Sequence, residues 1–113
     1  MTGALRDVRP TRQFYADLHR QLPAERGEDG TPSRVDFELY DLVDILNTFA
    51  QDWDELPQLI PGRSDYRILI TSGVLVAGYS VQALLNRDEV IELISLGIDL
   101  RPLPGPDDHD AVD

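Results

Sequence analysis

The chain has no cysteine and no lysine; all ten of its cations are arginine. Without thiols there is no disulfide framework and no thiolate zinc site. No apolar run approaches the length of a membrane span, about 18 residues. The first ten residues, MTGALRDVRP, are followed by no apolar stretch of the kind that secretory signals carry, so a soluble cytoplasmic protein is expected. Positive charge is scarce as well. Ten arginines face 21 acids, a net charge of −11. Such a surface repels phosphate backbones and argues against direct nucleic-acid binding.

At 113 residues the chain suits a single domain with one core. Charge is unevenly spread along it. Residues 1–22 hold four arginines and two acids, a net +2, and the remainder holds six arginines and 19 acids, a net −13. A small basic end on an acidic body favours a protein partner of mixed charge. The same charge also keeps molecules apart in solution.

Three β-rich runs dominate the C-terminal half: Tyr66–Thr71, Val74–Val81 and Val90–Ile98. Ser72-Gly73 separates the first two, and a polar turn around Asn86-Arg87-Asp88 precedes the third. This pattern predicts a three-stranded antiparallel meander. Before it, residues 4–9 read as a short edge strand ended by Pro10. Thr11 then caps a helix whose stripe is Phe14, Leu18 and Leu22, ended by Pro23. After a polar loop, Ser33 and Asp36 form a variant capping box. They open a second helix, Arg34–Asp54, with Val35, Leu39, Leu42, Val43, Leu46, Phe49, Ala50 and Trp53 on its expected buried face. The expected fold is α+β: a short N-terminal strand and two helices packed on the meander over residues 1–103. Residues 104–113 are too polar to fold alone and read as an acidic disordered tail.

Chemical motifs are few. His19 lies off the apolar stripe of its helix, and His109 sits in the tail. Asp52-Trp53-Asp54-Glu55 reads as a helix end with Trp53 inside and its acids in water. Ser72 and Ser80 have no nucleophile-elbow context. Gly73 and Gly78 do not lead into a helix as a phosphate loop would. No cofactor or metal is expected, and no general base for RNA cleavage is evident.

The run Gly62-Arg63-Ser64-Asp65-Tyr66-Arg67-Ile68-Leu69-Ile70 resembles the RelE/ParE superfamily of bacterial toxins at the step from its second helix into its central hairpin. Gly73, Tyr79 and the last strand Val90–Asp99 extend the likeness over residues 4–100. The resemblance implies the RelE/ParE-like fold and a toxin neutralised by a cognate antitoxin. Ribosome-dependent RNases of that family carry Tyr and basic or His residues near the end of the last strand. Here it reads Leu96-Gly97-Ile98-Asp99-Leu100-Arg101. The implied activity is therefore protein binding that inhibits growth, with Arg63, Tyr66, Arg67, Tyr79 and Arg87 as candidate partner-binding residues. The alternatives are a non-toxic acidic binding or regulatory module and, third, a ribosome-dependent mRNA endonuclease. An open sheet edge would also permit a homodimer.

Overall fold

The computed structural model describes residues 5–100, so the expected tail at 104–113, with His109, lies outside the described residues. The architecture is α+β. In chain order it runs β1 (Asp7–Pro10), α1 (Arg12–Gln21), α2 (Arg34–Leu39), α3 (Asp41–Asp52), a 3₁₀ turn (Trp53–Glu55), β2 (Tyr66–Thr71), β3 (Gly78–Leu85) and β4 (Val90–Asp99). The sheet corrects the sequence expectation: it has four strands and is mixed, not a three-stranded antiparallel meander. Its order is β1-β4-β3-β2. β2, β3 and β4 pair antiparallel in succession, and β1 joins parallel to β4, with Val8 opposite Ile91.

Local chemistry sets the helix starts. Thr11 Oγ1 accepts the Phe14 N–H at 3.2 Å and donates to the Leu93 carbonyl at 2.8 Å, so one hydroxyl caps α1 and ties it to β4. Ser33 and Asp36 make the reciprocal capping box. Arg26 clamps the same Asp36 carboxylate with two hydrogen bonds, at 3.1 and 2.9 Å.

The expected second helix is broken at Tyr40, whose φ of −118° and ψ of −69° stay in the right-handed region but depart far from regular helical values. The break has a counterpart across the fold. Asp41, which opens α3, is fully buried, and its carboxylate accepts the N–H groups of Val74 (2.6 Å) and Leu75 (3.0 Å). This grip holds residues 72–77 as a loop. Ser72-Gly73 is therefore not a two-residue hairpin turn, and β3 starts at Gly78, later than expected. Gly73 is needed there, since a Cβ would lie 2.6 Å from a Val76 methyl.

The buried face of the second helical segment also differs. Phe37, Asp41, Leu42, Ile45, Phe49 and Trp53 turn inward, whereas Val35, Leu39 and Val43 are exposed. The inward residues at 41, 45, 49 and 53 follow four-residue spacing, but a carboxylate heads the row. The apolar ones among them, with Phe14 and Leu18 of α1 and Leu22 just past its end, pack on Tyr79, Val81, Ala83, Ile91, Leu93 and Leu96.

Candidate protein-binding surface

Burial alternates along β3 and β4, which places the helices on one face of the sheet. Opposed residues on paired strands point the same way, so the register defines the other face. It carries Tyr66, Ile68 and Ile70 from β2, Ser80, Gln82 and Leu84 from β3, and Val90 and Glu92 from β4. None of these is buried, and Ile70 is 72 % exposed. The Tyr66 hydroxyl lies 3.3 Å from Gln82 Oε1. Toward the far end of the sheet, Ile70, Gly78, Ser80 and Gly97 help to line a trough of about 490 Å³. Gly97 keeps it open: a Cβ there would come within 3.0 Å of Ser80 Oγ.

The two long edges of the C-terminal strands differ. Along β4, β1 pairs as far as Leu93, and beyond it α1 side chains take over. Asp17 Oδ2 accepts the Leu96 N–H at 3.0 Å. Gln21 donates to the Leu96 carbonyl and accepts the Ile98 N–H, each at 2.7 Å. This switch coincides with a bulge, since Gln82 pairs with Ser95 and Ala83 with Leu93, leaving Ile94 as the extra residue. Along β2, residues 57–59 cover only the start: the Ile68 N–H donates to the Pro57 carbonyl and the Leu59 N–H to the Tyr66 carbonyl. By alternation Ile70 directs its N–H and C=O outward, and among the described residues no group pairs with them.

The five candidate residues divide by environment. Arg63, Tyr66 and Arg87 gather at one end of the β2–β3 pair, because Tyr66 faces Leu84 and the Leu85 N–H donates to the Asp65 carbonyl. Arg63 and Arg87 are exposed. Arg63 forms two 2.9 Å bonds to Asp65, which hold that carboxyl below its usual range. Arg67 is buried. Its guanidinium donates to the carbonyls of Ser64, Asp54 and Leu56 and lies 5.5 Å from the Trp53 ring centroid. Tyr79 sits at the opposite end of the pair, on the helix side, with its ring edge-on to Phe37. Burial, with smaller contributions from Asp41 and Asp44, pushes its hydroxyl up to about 12.

Other sequence features fall into place. Trp53 is buried while Asp52, Asp54 and Glu55 face solvent. His19 is exposed on α1. No group of three or more His, Asp or Glu is placed to hold a metal, and no helix is long and apolar enough to cross a membrane, among the described residues. Sequence reading missed Ile68, Ile70, Gln82 and Leu84 as surface residues; the two-residue alternation in β2 and β3 was the available signal. Comparison with family models, with curated proteins and with solved structures returned no match.

Proposed function

We propose that this chain is a toxin-like protein of the RelE/ParE kind that acts by binding a protein, with a cognate antitoxin as its neutralising partner. One observation carries the reading: the helices cover a single face of the sheet, so the other is left as a half-apolar platform whose large side chains, Tyr66, Ile68, Ile70 and Leu84, lie along the edge strand β2 and its neighbour β3. Large aromatic and aliphatic side chains on a rigid sheet suit a protein interface. The order of strand, helix, helical segment and three successive strands fits the RelE/ParE resemblance. Regulated expression in a bacterium tests the proposal. Growth should arrest, and Ile68→Asp with Ile70→Asp should relieve the arrest while the circular dichroism spectrum stays unchanged. Normal growth at high expression of the intact chain would sink it.

The net charge of −11 favours a second reading, a non-toxic acidic regulator that occupies a basic partner. A stable partner recovered without growth arrest would select it. An RNase reading has less support, because the Arg67 guanidinium is turned onto three backbone carbonyls. Incubation with RNA, with and without ribosomes, tests that directly. The free β2 edge at Ile70 also suits pairing with a second copy, which sedimentation at increasing concentration would reveal.

A further inference from the structure

The outward side of the helical layer carries an apolar stripe that the fold leaves uncovered. Val35, Leu39 and Val43 recur every four residues and are 56 %, 62 % and 46 % exposed. Tyr40, at the bend between α2 and α3, is exposed beside them. The loop that Asp41 grips presents Val74 and Leu75, also exposed, and Leu75 comes close to Tyr40. Leu75 and Tyr40 line one hollow of about 370 Å³ with Gly30, Pro32, Arg26 and Asp36. Single exposed apolar side chains are ordinary on a protein surface, whereas a row of three with exposed Tyr40 beside it, itself lining a hollow, is the kind of apolar patch that interaction surfaces carry.

Charge around the stripe has one sign. Between Arg34 and Glu55 one arginine stands against seven acids. That arginine is already engaged, since Arg34 donates to the carbonyls of Leu22 and His19. Arg26, at the hollow, is held by Asp36. Glu38 and Asp44, within the span of the stripe, form no salt bridge among the described residues. The field of Glu38 reaches α1, where it adds to burial in raising the Tyr15 hydroxyl.

We propose that this stripe receives a cationic amphipathic helix from another protein. Apolar residues spaced by four would lie along Val35, Leu39 and Val43, and one large side chain would enter the hollow at Tyr40 and Leu75. Lysine or arginine on the flanks would meet Glu38 and Asp44. An anionic membrane surface would be repelled by the same carboxylates. A second copy of this chain would bring further carboxylates toward them. The stripe lies on the far side of the helices from the bare sheet face, so it does not depend on the sheet-face reading.

The test measures binding of a fluorescent peptide of leucine and lysine at helical spacing to the full chain. Two controls accompany it: the same composition scrambled, and leucine with glutamate in the same pattern. The patterned cationic peptide should bind, and more weakly as salt rises. Leu39→Asn with Val43→Asn should weaken it by about tenfold or more, as expected when central anchors are removed. Glu38→Gln with Asp44→Asn should weaken it less. Ile70→Asn, on the sheet face, should leave peptide binding unchanged, so loss of sheet-face function and loss of stripe binding are read separately. Equal binding of the scrambled peptide would overturn the proposal, as would indifference to Leu39→Asn with Val43→Asn. A dimer of the chain that Leu39→Asn dissociates would also overturn it, assigning the stripe to self-association.

Discussion

Asp17 and Leu96 lie 79 positions apart in sequence, yet the carboxylate of one accepts the backbone N–H of the other at 3.0 Å, and the contact is buried. The same carboxylate accepts from Gln13 (2.8 Å) and Arg20 (2.7 Å), so an acid on a mostly buried helix face has its lone pairs filled. Asp17→Ala would strand the Leu96 N–H beside a bulge. A loss of about 2–4 kcal/mol is expected, the usual penalty for an unsatisfied buried donor plus a lost charge-assisted bond. Arg20→Ala removes only an exposed partner and should cost under about 1 kcal/mol. Urea denaturation of the two variants checks the difference.

Asp41 makes a sharper prediction about place than about energy. In Asp41→Ala, the Val74 and Leu75 N–H groups lose their acceptor, and the loop at 72–77 is released from α3. Amide hydrogen exchange should accelerate at Val74 and Leu75 well before it does at β4. Asp41→Asn keeps one side-chain oxygen and should fall between the two.

Arg67 should behave as a structural pin. Lysine cannot reproduce a planar fork that reaches three carbonyls while lying against an indole. Arg67→Lys should cost about 2–3 kcal/mol, in the range for breaking charge-assisted buried hydrogen bonds. Trp53 is the chain's only tryptophan. Its emission should therefore shift to the red in this variant, with no change for Arg63→Lys on the surface.

Stability should fall at both pH extremes for identifiable reasons. The bonds from Arg26 and Ser33 hold the Asp36 carboxyl well below its usual range. The unfolded chain then binds more protons than the folded one near the ordinary carboxylate value of about 4. The contribution is complete above that pH and is lost as pH falls below it. Asp36→Asn should flatten that part of the acid limb. At the alkaline end, Tyr79 keeps its proton up to about 12 in the fold. The unfolded chain releases it near the ordinary value of about 10. Stability should decline between those values, and Tyr79→Phe should remove that decline in denaturant titrations.

Much of the fold was legible because local signals were strong. The stripe Phe14, Leu18, Leu22 and the caps Thr11 and Ser33 fall where the pattern puts them, and β2 runs from Tyr66 to Thr71 as read. The errors share one cause: contacts distant in sequence. Asp41 lies off the expected buried face of its helix, yet it is buried and decides where β3 begins. Once Asp41 faces inward, Val35, Leu39 and Val43 must turn out, so a second apolar row was mistaken for the core. The parallel pairing of β1 with β4 leaves no mark in either strand. Of the candidate surface, exposure of Arg63 and Arg87 was foreseeable from polar neighbours, whereas the engagement of Arg67 by Asp54, Leu56 and Ser64 was not.

The pairing of β1 with β4 also bears on how the molecule is made. The first strand has no neighbour in the sheet until the last has been synthesised, and Thr11, Asp17 and Gln21 must wait for the same residues. A ribosome therefore emits α1 and α3 with their greasy sides still bare. Closure of the domain is held back until β4 has emerged, a window in which chaperones or a co-expressed partner can reach surfaces that the finished fold hides.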